Sequence, residues 1–162
     1  MDYLATIGYL GVRRLVVNSL LDRMRFLHDG ALLMTNRRDE LVALTNEFVD
    51  AFNRMNLDDV VAFFAEDGIY EDSTGGRHVG QEAIRNAFEP LVGGSRGKIR
   101  FDGEDVFVET DSGKVLASWR LNLDKDGEVS VIRGIDVLEF EENKLKKKMA
   151  YMKVDKPHLE DT

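Results

Sequence analysis

Beyond Gly97 the apolar side chains stop recurring every three or four residues and begin to alternate, and this change of period constrains the fold more than any other feature. Helices precede it and strands follow. From Arg37 to Met55, the residues Leu41, Leu44, Phe48, Phe52 and Met55 fall on one stripe of a helix. Asn56 suits the N-cap of a second, short helix. There Asp58 and Asp59 favour the positive end of the dipole, and Val60, Val61, Phe63 and Phe64 supply an apolar face that ends at Gly68. Ile69 to Asp72 reads as a short strand running into the turn Ser73-Thr74-Gly75-Gly76, and Gln81 to Leu91 as a third helix. After Gly97 four β segments follow, Lys98 to Glu109, Val115 to Leu123, Glu128 to Phe140 and Lys144 to Val154. The turns Asp111-Ser112-Gly113, Asp124-Lys125-Asp126-Gly127 and Glu141-Glu142-Asn143 separate them and predict an antiparallel meander. Three helices followed by a curved antiparallel sheet form an α+β pattern, with the helices packed on one face of the sheet.

The length of 162 residues suits one globular domain, expected over residues 34–155, with an extension at 1–33 and a tail at 156–162. Thirty acidic against 22 basic side chains give a net charge of −8, which argues against nucleic acid or an anionic membrane surface as a partner. No apolar run reaches the roughly 18 residues that a bilayer span needs. Met1 to Leu33 carries apolar residues at helical spacing, including Leu10, Val17, Leu21 and Met24. It reads either as an added helix that mediates assembly or as sequence upstream of a start at Met34. Arg13 and Arg14 break its apolar part, so it is not read as a signal sequence and a cytoplasmic location is expected. The absence of cysteine removes thiol nucleophiles and cysteine-ligated zinc, and three scattered histidines offer little to a metal. No metal or cofactor is expected. Chemistry falls to carboxylates, tyrosines, lysines, arginines or one histidine.

Alternation along the strands decides which of these share a face. Tyr70 and Asp72 point the same way on their strand. Asp136 alternates with Ile132, Gly134, Leu138 and Phe140, so a carboxyl stands in an otherwise apolar, buried row. There it must be hydrogen-bonded, paired or protonated. It is either a satisfied core or interface carboxylate or a functional acid. Asp72 is either a functional carboxylate or a turn residue capping Thr74 or Gly75. Trp119 shares a face with Val115, Ala117, Leu121 and Leu123, as core packing would require. His78 reads as a solvated loop residue, and the run Lys144-Leu145-Lys146-Lys147-Lys148 as an exposed strand face from which Lys146 or Lys148 can enter a pocket.

The order of elements and several strings resemble the nuclear-transport-factor-2-like (NTF2-like) superfamily, in its SnoaL-like and ketosteroid-isomerase-like branch. The strings are Phe48-Val49-Asp50-Ala51-Phe52-Asn53, Asp59-Val60-Val61-Ala62-Phe63-Phe64-Ala65-Glu66-Asp67-Gly68, Tyr70-Glu71-Asp72, Gly80-Gln81-Glu82-Ala83-Ile84 and Ile135-Asp136-Val137-Leu138-Glu139-Phe140. The resemblance covers about residues 39–155. It implies a cone, a curved sheet wrapped around a long helix with an apolar pocket at the wide end, and a homodimer formed through the outer sheet face. It places Asp72 at the position of the isomerases' general base and Asp136 at that of their protonated, oxyanion-stabilising acid, a pairing that splits two carboxyl pKa values between two tasks. Their oxyanion-hole tyrosine corresponds to Phe48, which has no donor. Loss of one such donor costs about a hundredfold or more in rate unless Tyr70 substitutes. Limonene-epoxide-hydrolase-like and scytalone-dehydratase-like sites fit less well. Arg133 and Asp136 face opposite sides of their strand, and the matched region holds a single histidine, His78.

The expected activity is therefore cofactor-independent proton abstraction and enolate stabilisation on a lipophilic carbonyl compound, as in an isomerase or cyclase. Asp72, Asp136 and Tyr70 would act catalytically, and Phe48, Phe52, Trp119 and Met152 would line the pocket. The alternative is a ligand-binding or assembly module of the same fold without chemistry.

Overall fold

The computed structural model describes residues 37–155; the extension expected over residues 1–33 and the tail at 156–162 lie outside the described residues. Helix α1 runs through residues 37–53, followed by α2 (Leu57–Ala62), β1 (Phe64–Glu71), β2 (Arg77–Val79), α3 (Gln81–Val92), β3 (Lys98–Glu109), β4 (Lys114–Lys125), β5 (Glu128–Glu141) and β6 (Lys144–Met152). The six strands form one sheet in the order β2-β1-β6-β5-β4-β3. Strands β3 to β6 are the expected antiparallel meander. Among the described residues no helix is long and apolar enough to cross a membrane.

Three local expectations are corrected. Helix α2 begins as expected, with the Asn56 side chain accepting from the Asp59 amide at 3.2 Å, but it ends at Ala62. Phe64 is fully buried opposite Leu145 and opens β1, and pairing with β6 outweighs a longer helix. Gly68 is not a helix stop. It lies where the β1–β6 register shifts, and a Cβ there would stand 2.9 Å from the Ala65 carbonyl oxygen. Finally, β1 pairs with β6 in parallel, and the short β2 extends the sheet beyond it, so His78 lies on a strand rather than in a loop.

Register shifts between Gly103 and Asp105 and between Glu139 and Phe140 interrupt the ladders, and such irregularities add local bend and twist to a sheet. The inner face receives α1 through aromatic edges. Phe48 meets Phe52, Phe63 and Phe64 at 5.1–5.8 Å between centroids, and Phe52 meets Phe88 and Phe101.

The turn between β1 and β2 is organised by Asp72. Its Oδ1 accepts from the Thr74 amide (2.8 Å), the Thr74 hydroxyl (2.7 Å) and the Gly76 amide (3.0 Å), while Oδ2 lies 2.8 Å from Nε2 of His78. Partial burial pushes its pKa up, but the bonds from His78, Thr74 and Gly76 prevail and bring it down to about 2. Its stabilising contribution is therefore present above the unfolded value near 4 and is lost as pH falls through about 2. Asp72→Ala is expected to cost about 2 kcal/mol at pH 7 and about half that at pH 3. Urea unfolding of both chains at the two pH values checks this, and a cost that does not shrink with acid contradicts the role given to the carboxylate.

Candidate active site

Strand register brings the polar residues of the inner face together. Tyr70 pairs with His78 on one side and with Lys148 on the other, and Lys148 pairs with Leu138. One step along the sheet, Asp136 stands between Ala150 and Ala117, and a further step places Gly134 between Met152 and Trp119. Lys148 and Asp136 are thus diagonal neighbours across the β5–β6 hairpin. They form an ion pair between Nζ and Oδ2, with side chains only 5% and 14% exposed. A carboxyl in this row needs such a partner, because an unpaired buried charge costs several kcal/mol. Asp136 Oδ1 is also buried and has no hydrogen-bond partner; among the described residues it shares this condition with Trp119 Nε1 and Arg120 Nε.

Asp136 and Lys148 contribute to the wall of a cavity of about 100 Å³ whose other lining is mostly apolar, including Phe48, Phe52, Tyr70, Phe88, Phe101, Trp119, Leu121 and Met152. A wider cavity of about 490 Å³ shares Phe48, Val49, Phe101, Trp119 and Asp136 with it and adds Thr45, Asp50, Asn53, Asp102 and Ser118. Lys148 Nζ stands 5.6 Å from the centroid of the Tyr70 ring, which stacks with Phe88 at 4.4 Å and with His78 at 5.6 Å. Burial, then the negative charges of Asp136 and Asp72, push the Tyr70 phenol well above its ordinary range, against a smaller opposing pull from Arg96. It stays protonated and able to donate.

The structure places Phe48, Phe52, Trp119, Met152, Tyr70 and Asp136 around one cavity. Asp72 is not part of that lining, although Ser73 is. Asp72, expected as the base, is engaged as a carboxylate in its own turn. Its oxygens are occupied by four hydrogen bonds, and a pKa of about 2 makes it a weak acceptor of protons. Asp136, for which the resemblance implies an oxyanion-stabilising acid, has the Lys148 ammonium in contact with its Oδ2. Sequence reasoning did not single out Lys148 within its lysine run, although alternation left one of those lysines free to turn inward. It read His78 as solvated because three residues are too short a strand to register as a pattern. No group of three or more His, Asp or Glu side chains that could hold a metal ion occurs among the described residues.

Residues 45–147 match the model of the SnoaL-like domain family. No curated protein matches the chain. Among solved structures, an NTF2-like protein of unknown function from Mesorhizobium loti is 21% identical, with 73% of this chain and 94% of that one covered and a TM-score of 0.60. A putative polyketide cyclase from Xanthomonas campestris pv. campestris is 19% identical (71% and 91% covered, TM-score 0.56). TerC, co-crystallized with polyporic acid, is 11% identical (70% and 92% covered, TM-score 0.59). At these identities the likeness is one of fold. With well over half of its length matched by the family's model, the chain belongs to the SnoaL-like domain family.

Proposed function

We propose that this protein is a cofactor-independent enzyme that transfers a proton on a lipophilic carbonyl compound held in the cone, as an isomerase or cyclase does. One observation carries the reading. Asp136, in the wall of a mostly apolar cavity, has one buried oxygen without a protein hydrogen-bond partner, while Lys148 holds the other. In the proposed step Oδ1 takes the proton from a carbon beside the carbonyl. The C–H electron pair becomes the carbon–carbon double bond of the enolate, and the negative charge passes to the carbonyl oxygen. Asp136 becomes neutral as the substrate becomes negative, so the site's net charge is unchanged and Lys148 remains beside the displaced charge. Tyr70, kept protonated, donates to the enolate oxygen and supplies the bond that Phe48 cannot. Return of the proton to another carbon gives isomerisation, and attack of the enolate on a second carbonyl gives ring closure. The similarity to a putative polyketide cyclase and to TerC with polyporic acid supports a cyclic, lipophilic ligand. The engagement of Asp72 in its turn favours the second reading, a binding module that does no chemistry.

The two readings separate on the exchange of α-hydrogens of 2-tetralone for deuterium, followed by NMR. The enzyme reading expects exchange above the buffer rate. Asp136→Asn should then lose about 100-fold or more and Tyr70→Phe about 10-fold or more, with folding of both variants checked by circular dichroism. Exchange at the buffer rate with the ketone bound leaves the binding module.

The homodimer is proposed on the outer sheet face. There Phe107, Leu116, Val137 and Met149 form a row in register, with Ile135 and Tyr151 in the next; Phe107 is 67% exposed and Tyr151 56%. Analytical ultracentrifugation should find a dimer that Leu116→Glu converts to monomer, and a monomeric unaltered chain removes the proposal.

A further inference from the structure

Of the lysines in the run 144–148, three serve the surface and the last does not. Lys144 Nζ donates to the Ala62 carbonyl, Lys146 pairs with Glu141, and Lys147 pairs with Glu71. Lys148 turns inward, is 4% exposed, and stands in the wall of the inner cavity with Ala150 next to it on the same face of β6. An ammonium has three N–H donors and no acceptor. Among the described residues its Nζ has one oxygen partner, Asp136 Oδ2, and otherwise faces the Tyr70 ring from 5.6 Å. A buried ammonium with more donors than acceptors has given up hydration that the fold does not replace, and apolar residues in place of a buried ion pair are often neutral or stabilising. Stability of the fold therefore does not account for a lysine here. Burial in apolar surroundings is the setting that makes this side chain a nucleophile toward carbonyl compounds.

We infer that Lys148 is a covalent catalytic residue, which binds a lipophilic ketone or aldehyde as a protonated imine. Nζ first passes a proton to Asp136 Oδ2, and its freed lone pair forms a bond to the carbonyl carbon while the C=O π pair moves to oxygen. That oxygen takes the proton held by Asp136 and then a second one from nitrogen. The C–O bond breaks, and water leaves as the C=N bond forms. One ammonium and one carbonyl thus give one iminium and one water, with the positive charge kept on nitrogen and Asp136 again a carboxylate. The product suits its surroundings better than the ammonium does. A lysine iminium has a single N–H, which Asp136 Oδ2 accepts, so no donor is left over and the buried carboxylate keeps its counter-ion. The inference rests on the carbonyl reading proposed above and deepens it. Loss of an α-proton from the iminium to Asp136 sends the C–H pair into a C=C bond and the C=N π pair onto nitrogen, giving a neutral enamine where the ketone alone would give an enolate.

Cyanoborohydride reduces an iminium and spares a ketone, so it records the imine as a stable secondary amine. The full chain is incubated with 2-tetralone and sodium cyanoborohydride and then mapped by peptide mass spectrometry. The expected result is an adduct on Lys148, with Lys144, Lys146 and Lys147 unmodified. Lys148→Arg, which keeps a cation beside Asp136 but forms no imine, should lose the adduct. If that variant does not fold, the position of the adduct on the unaltered chain decides alone. Deuterium exchange of the same ketone above the buffer rate with no adduct on Lys148 overturns the imine and leaves the proton-transfer reading standing. Adducts spread over the surface lysines without preference for Lys148 also overturn it. Absence of both exchange and adduct overturns the imine and the proton-transfer reading together.

Discussion

The ion pair between Lys148 and Asp136 is the constraint on which the interior of this cone depends. Two charges on the inner face of a sheet are each costly to remove from water, and their mutual attraction offsets that cost only when they touch. Contact is fixed by the β5–β6 hairpin, whose register makes the two residues diagonal neighbours on one face. A shift of one residue in that hairpin would turn one of them outward and strand the other. The same strand, β6, accepts β1 in parallel and so sets Tyr70 beside Lys148. Hairpin register therefore fixes the position of the carboxylate, its counter-ion and the phenol donor together.

Two aspartates that the family resemblance treats as partners have opposite chemical resources. Asp72 spends its lone pairs within its own turn, on Thr74, Gly76 and His78, and gains a conformation for the β1–β2 connection. Asp136 spends one oxygen on Lys148 and keeps the other uncommitted in a low-dielectric pocket. A proton acceptor needs a free lone pair facing the substrate before its pKa matters. In the proposed reaction that criterion favours Asp136 over Asp72, which is engaged with His78 in its own turn.

Much of this was legible in one sequence. The change of period at Gly97 gave the order of helices and meander, and alternation on β5 isolated Asp136 among Ile132, Gly134, Leu138 and Phe140. Phe48, Phe52, Trp119 and Met152, expected as pocket lining, are all in the wall of the inner cavity. What stayed hidden depended on pairing between segments distant in sequence. The doublet Phe63-Phe64 fits a helix face as well as a strand start, and only the Phe64 to Leu145 pairing resolves it. Lys148 is one of four lysines in five residues; its burial follows from the apolar neighbours that β1 and β5 bring to its face, a long-range fact. The Asp72 to His78 bond closes through a three-residue strand, shorter than any periodic signal.

The hollow itself has a simple origin in side-chain size. Asp136 is flanked across the sheet by Ala117 and Ala150, and the next row places Gly134 between Trp119 and Met152. Small residues surround the carboxyl on three sides, while Phe48, Phe52 and Phe101 form walls above them. A sheet face filled with valine or leucine at those positions would close over Asp136, and the core would gain the contacts that the hollow forgoes. Forgone packing and a buried charge pair both reduce stability, and they occur at the same place. Neither compensates the other within the fold, and under the proposed function a bound ligand would fill the space that packing leaves.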